Sequence, residues 1–238
     1  SRETPSFLGY RSVRHSSTLA RLPIGLQTLP KIIHENFVYI DKTEEAYNIL
    51  TKGSGRYFYA APRRFGKSLF LSTLEEIVKG KKDSFKNLWI GKSNYKWNKH
   101  PIIKLDFSNL EKTEAGALSR SLIIRLENIA DQYGIKLQET KSVTDATNEL
   151  IEKLSKKCRH PVVILIDEYD SPIVEHVEEG AKARSNRSIL RSFFTAVKAN
   201  DHRIKLLFVT GVSRFSHVTL FSGMNLEDIS MQSTYGNL

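Results

Sequence analysis

Ala61-Pro62-Arg63-Arg64-Phe65-Gly66-Lys67-Ser68 is the run on which the reading of this chain turns. It meets the phosphate-loop pattern G-x-x-x-x-G-K-[ST] at Gly66, Lys67 and Ser68 and departs from it at Ala61. In such a loop, backbone amides at the opening of a helix face phosphate oxygens, and the helix dipole favours negative charge there. The lysine reaches the terminal phosphates and the serine hydroxyl meets magnesium. Pro62 pushes Ala61 toward extended backbone, so Ala61 has no need of the positive φ that favours glycine. Proline also lacks an amide hydrogen, so the donors start at Arg63. The candidate nucleotide-binding run is Pro62, Arg63, Arg64, Phe65, Gly66, Lys67, Ser68 and Leu69. The plain alternative is a strand-to-helix turn that contains Gly-Lys-Ser by chance.

The flanks have the order the loop requires. Arg56 to Ala60 is rich in aromatics and suits a buried strand. Leu69, Phe70, Leu71, Leu74, Ile77 and Val78 fall at helical spacing, with Glu75, Glu76 and Lys79 opposite, and Gly80 stands where that helix should stop.

A second chemical feature lies downstream. Val162-Val163-Ile164-Leu165-Ile166 runs without interruption into Asp167 and Glu168. An unbroken apolar strand suits the middle of a parallel sheet covered on both faces, and ligands bind at the carboxyl ends of such strands. Asp167 is the candidate magnesium ligand with Ser68, and Glu168 the candidate base that orients and deprotonates water. Such a strand ending is weak alone; with the loop it describes the two halves of a nucleotide hydrolase, a degenerate Walker A and a Walker B.

Outward from these, Phe37 to Ile40 reads as a short strand, and Asp41 can cap a helix over about 44–50. Pro101 to Ser108 reads as a strand, and 115–133 and 143–157 as two long amphipathic stretches. The stretch 175–187 is charged and loop-like, 188–200 has one apolar helical face, and Lys205 to Gly211 is a buried-type strand with a polar tip. The tail from 212 carries few periodic signals.

Composition sets bounds. The chain has 238 residues, 40% of them hydrophobic and 26% charged, as in ordinary globular domains. No apolar run approaches the roughly 18 residues of a membrane helix, so no membrane partner is expected. Cys158 is the sole cysteine, which rules out an internal disulfide and fits a reducing, cytoplasmic setting. Residues 1–21 are Arg- and Ser-rich with a single acid, and read as a disordered or leader segment; organelle targeting stays open. The net charge of +10 favours anionic partners. From Lys79 to Lys104 eight lysines stand against Asp83, with Phe85, Trp89, Tyr95 and Trp97 between them. A nucleic-acid surface fits this pattern, and a solvated connection pinned by its aromatics fits it better.

Six motifs together resemble a known family. Leu-Pro-Ile-Gly at 22–25, Tyr-Ile-Asp-Lys-Thr at 39–43, Pro-Arg-Arg-Phe-Gly-Lys-Ser at 62–68, Leu-Asp-Phe-Ser at 105–108, Ile-Asp-Glu-Tyr-Asp at 166–170 and Thr-Gly-Val-Ser-Arg-Phe-Ser at 210–216 are similar to the AAA-ATPase-like domain. The family's own loop lacks the first glycine. The resemblance implies one α/β P-loop NTPase domain over 22–238: a three-layer sandwich on a mostly parallel sheet of the additional-strand type. It places the strand ending at Thr210 between the two motif strands. It implies that Thr210 or Ser213 is a polar sensor near the γ-phosphate and Arg214 a sensor-type arginine. Members usually continue into a lid and a nuclease-like domain of PD-(D/E)XK type, so the domain is expected to be incomplete at its C-terminus. No nuclease constellation is present in this sequence, and none is carried over.

The expected function is Mg-ATP binding with slow hydrolysis. A non-hydrolysing ATP-dependent switch and a nucleic-acid-associated module coupled to a nuclease-like domain are the alternatives. No Asn-Lys-x-Asp guanine signature is present, which leans toward ATP. A homo-oligomer is also open.

Overall fold

The computed structural model describes residues 21–238, apart from 24, 54, 115, 139–141, 176–179, 213–219, 222, 231 and 233–237. Of the segment 1–21, expected to be disordered or a leader, residues 1–20 lie outside the described residues. In chain order the elements are α1 (Leu29–His34), α2 (Thr43–Thr51), β1 (Arg56–Ala60), α3 (Lys67–Val78), α4 (Trp89–Lys92), β2 (Ile102–Asp106), α5 (Ala117–Gln132), α6 (Val143–Cys158), β3 (Val162–Asp167), α7 (Ser171–Val174), α8 (Gly180–Ala199), β4 (Ile204–Gly211) and β5 (Glu227–Asp228).

The strands form one sheet in the order β2-β3-β4-β1-β5, and every pair is parallel. Side chains alternate between its faces, because successive residues of a strand point opposite ways. Phe58, Ile164, Ile166, Leu207 and Val209 join a core with the inner faces of α5, α6 and α8. Tyr57, Tyr59, Val163, Leu165, Leu206 and Phe208 join the other core, with α1, α2 and α3. Covering both faces explains why β3 reads as one apolar run: all six of its residues are buried. The parallel arrangement brings the ends of β1, β3 and β4 to one edge. Ala60 lies in register with Gly211, and Ile166 with Val209.

Four expectations are corrected. Among the described residues 37–40 form no strand; Phe37 makes an isolated parallel bridge to Arg21. The stretch 175–187 is not a loop throughout: α8 starts at Gly180, held where Asn186 is buried and donates to the Pro172 carbonyl at 2.9 Å. The strand expected over 101–108 stops at Asp106, whose carboxylate accepts the Ser108 amide at 2.9 Å and turns the chain. The tail supplies a fifth strand of two residues, β5, made by pairing with Tyr57 and Phe58 rather than by any pattern of its own.

Candidate functional site

The 61–68 loop leaves β1 and turns into α3 through two left-handed residues, Arg64 at φ 69° and Gly66 at φ 80°. Ala61 is not among the positive-φ residues, in keeping with the proline after it. An arginine at positive φ is strained, and such strain gathers at functional turns. Gly66 sits at the N-cap of α3, where that geometry suits glycine.

Lys67 opens the helix and is only 5% exposed. Its ammonium folds back on the loop, donating to the Ala61 carbonyl at 2.7 Å and the Pro62 carbonyl at 3.0 Å. Burial lowers its pKa, and Glu168, Asp167 and Asp170 only partly oppose that. A buried cation with mostly neutral partners favours an anion that reaches it.

Ser68 and Asp167 are in direct contact. The Ser68 hydroxyl donates to Oδ2 of Asp167 at 2.5 Å. Oδ1 of the same carboxylate accepts the Thr210 hydroxyl at 2.5 Å and the Glu168 amide at 3.1 Å. Thr210 is fully buried, behind Asp167 as seen from the loop's hydroxyl. The strand ends at Asp167, and Glu168 turns into the left-handed region at φ 48°. Burial, then the neighbouring Asp167, raises the Glu168 pKa. Arg214 and Ser213 lie outside the described residues.

Gly66, Lys67, Ser68, Leu69, Arg64 and Glu168 line one cleft of about 530 Å³. Its other wall is Pro23, Gly25, Leu26 and Gln27. The segment is anchored by the Leu29 amide, which donates to the Ser72 hydroxyl on α3 at 3.0 Å. Sequence reasoning gave this wall no role; the Leu-Pro-Ile-Gly motif was its one signal. Pro62, Arg63 and Phe65 are not in the lining, and Phe65 is 59% exposed. The Tyr169-Asp170 end of the second motif braces the site. Tyr169 packs on Phe58 and Phe221, and buried Asp170 accepts the Val212 amide at 3.1 Å.

The chain matches the model of the family described as "Predicted AAA-ATPase" over residues 23–221. It belongs to that family. A curated relative, an "Uncharacterized protein in vnfD 5'region" of Azotobacter chroococcum mcd 1, is 35% identical over 221 residues, which are 92% of this chain and 42% of the relative. The chain thus spans less than half the length of that relative. No solved structure matches.

The other surface raised by the sequence is the 79–104 stretch. Trp97 packs on buried Phe85 with ring centroids 5.4 Å apart, Tyr95 packs on Trp97 at 5.4 Å, and Tyr47 meets Trp89 at 5.3 Å. Burial pushes the Tyr95 hydroxyl up to about 12. Lys79 and Lys104 pair with Glu75, and Lys86 with Asp83. The rings are engaged with one another and with the core, which is how a pinned connection is built. Among the described residues, no helix of this AAA-ATPase-like chain is long and apolar enough to cross a membrane.

Proposed function

We propose that the chain binds Mg-ATP in the 61–69 cleft and hydrolyses it slowly. One observation carries this reading: Lys67, Ser68 and Glu168 line one cleft, and Ser68 hydrogen-bonds Asp167 from a strand 99 residues away. Amides from Arg63 onward and the start of α3 would cradle the phosphates. Lys67 would exchange its two carbonyl partners for phosphate oxygens, a charge-assisted bond in place of neutral ones. Pro23, Leu26 and Leu69 offer apolar contact for the base, and Gln27 an amide beside it.

A hydroxyl and a carboxylate in contact are oxygen donors of the kind a hard cation takes, so Ser68 and Asp167 fit magnesium. Bound there, magnesium would offset charge on the β- and γ-phosphates. Thr210 and the Glu168 amide hold the Asp167 carboxylate in place. Glu168 would accept a proton from the attacking water; its raised pKa makes it a better base than an ordinary carboxylate. In this reading the sheet is of the additional-strand type, with β4 inserted between the two motif strands, and Arg214 acts from the segment after β4.

The test is binding of ATP and GTP with and without magnesium, followed by single-turnover hydrolysis. Magnesium-dependent ATP binding with turnover supports the enzyme. Binding without turnover replaces it with a nucleotide switch, and no binding removes the reading.

A further inference from the structure

Lys42 has a place that the proposed reaction does not use. Its two neighbours fix the backbone there. One Asp41 oxygen accepts the Thr43 amide at 2.9 Å and the Thr43 hydroxyl at 2.6 Å, and the other accepts the Trp89 amide at 2.7 Å. The Thr43 hydroxyl accepts the Ile90 amide at 3.1 Å. Asp41 and Thr43 are thus committed to joining the start of α2 to α4.

The Lys42 side chain leans the other way, onto the loop. Its ammonium stands 4.0 Å from the point where a side chain on Gly66 would begin. Among the described residues its hydrogen bond goes to the main-chain oxygen of Leu238 at 2.6 Å. Burial lowers its pKa, and Glu45, one turn along α2, only partly offsets this. A partly desolvated cation held by one main-chain oxygen gains from a polyanion within reach. A phosphate oxygen accepting the Gly66 amide at about 3 Å would be such an anion, beside the glycine that the ammonium approaches.

We propose that Lys42 is a second lysine of the phosphate site, which exchanges the Leu238 oxygen for the phosphate chain when nucleotide binds. This role rests on the phosphate-cradle reading of the 61–68 loop. It also gives the Tyr-Ile-Asp-Lys-Thr motif a division of labour: Asp41 and Thr43 build the platform and Lys42 uses it.

The test has two arms. In the first, the parent chain is treated with an amine-reactive reagent, with and without saturating Mg-ATP, and labelling is read by mass spectrometry. Lys42 labelling is expected to fall severalfold on addition of Mg-ATP, while exposed Lys52 and Lys96 keep theirs. Equal labelling of Lys42 in both conditions overturns the proposal. In the second arm, Lys42→Met is expected to weaken Mg-ATP binding roughly tenfold, the loss of one charge-assisted hydrogen bond, and Lys42→Arg to restore most of it. Adenosine affinity should not move, which a merely structural defect would not spare. Parental Mg-ATP affinity in Lys42→Met, alongside a weakened Lys67→Ala, overturns the role of Lys42 alone. Parental affinity in Lys67→Ala removes the phosphate-cradle reading itself.

Discussion

The Ser68 hydroxyl donates to the Asp167 carboxylate at 2.5 Å, tying the first turn of α3 to the tip of β3. This bond joins the two halves of the candidate site. Ser68→Ala removes it and leaves Asp167 with Thr210 and the Glu168 amide. The expected outcome is a loss of about 1 kcal/mol of stability without ligand, a fall of a few degrees in Tm. The magnesium dependence of ATP affinity should weaken at the same time. An unchanged magnesium titration would remove Ser68 from the metal site.

Lys67→Ala deletes the charge that is held between the Ala61 and Pro62 carbonyls. ATP affinity is expected to drop by about 2 kcal/mol or more, some thirtyfold, on the scale of a hydrogen bond to a charged group. Because the folded state lowers the Lys67 pKa, removing this cation should cost the ligand-free fold little. Calorimetric titration with Mg-ATP and a melting curve read the two effects separately.

Glu168→Gln keeps the shape of the side chain and removes its basicity. Affinity for Mg-ATP should stay near the parental value while single-turnover hydrolysis slows by roughly a hundredfold or more. Asp167→Asn should act differently, lowering magnesium-dependent binding, since its oxygens face Ser68 and Thr210. Parental turnover in Glu168→Gln would remove Glu168 as the base.

Gly211 ends β4 against the ring that braces the site. A Cβ there would stand 2.5 Å from Cε1 of Tyr169, a ring already packed by Phe58 and Phe221. Gly211→Ala is expected to destabilise the fold by about 1–3 kcal/mol, as overpacking of a filled core does. The denaturation midpoint in urea measures it, and a parental midpoint would contradict this packing.

His100 supplies a pH dependence. Its Nδ1 is 2.9 Å from the Pro161 carbonyl, and burial, with His160 and Lys205 nearby, lowers its pKa from 6.5. The unfolded chain then binds the proton more readily than the folded one. Stability is therefore full above pH 6.5 and falls as the pH drops from there toward the lowered value. His100→Gln should flatten the loss of Tm between pH 7.5 and pH 5. An unaltered slope would assign that acid sensitivity to other groups.

What the sequence determined by itself is local. The strand, turn and helix around 61–68 were legible because aromatic, glycine and helical-period residues follow one another there, with Gly66 at the N-cap of α3 in the left-handed region. The core of β3 was legible because burial on both faces leaves an unbroken apolar run, and α5 and α6 because each keeps one apolar stripe. Tertiary structure decided the rest, through contacts that no local pattern encodes. β5 exists because Tyr57 and Phe58 offer it a sheet edge, whereas among the described residues 37–40 has the isolated Phe37 bridge to Arg21 and no strand. α8 begins at Gly180, among charged residues without an apolar stripe, because Asn186 is tied to Pro172. The order of strands sets β4 beside both β1 and β3, and so places Thr210 on Asp167 and Asp167 on Ser68. The cleft wall at Pro23–Gln27 and the approach of Lys42 to Gly66 arise the same way, since packing of distant segments on α3 fixes which side chains share a site.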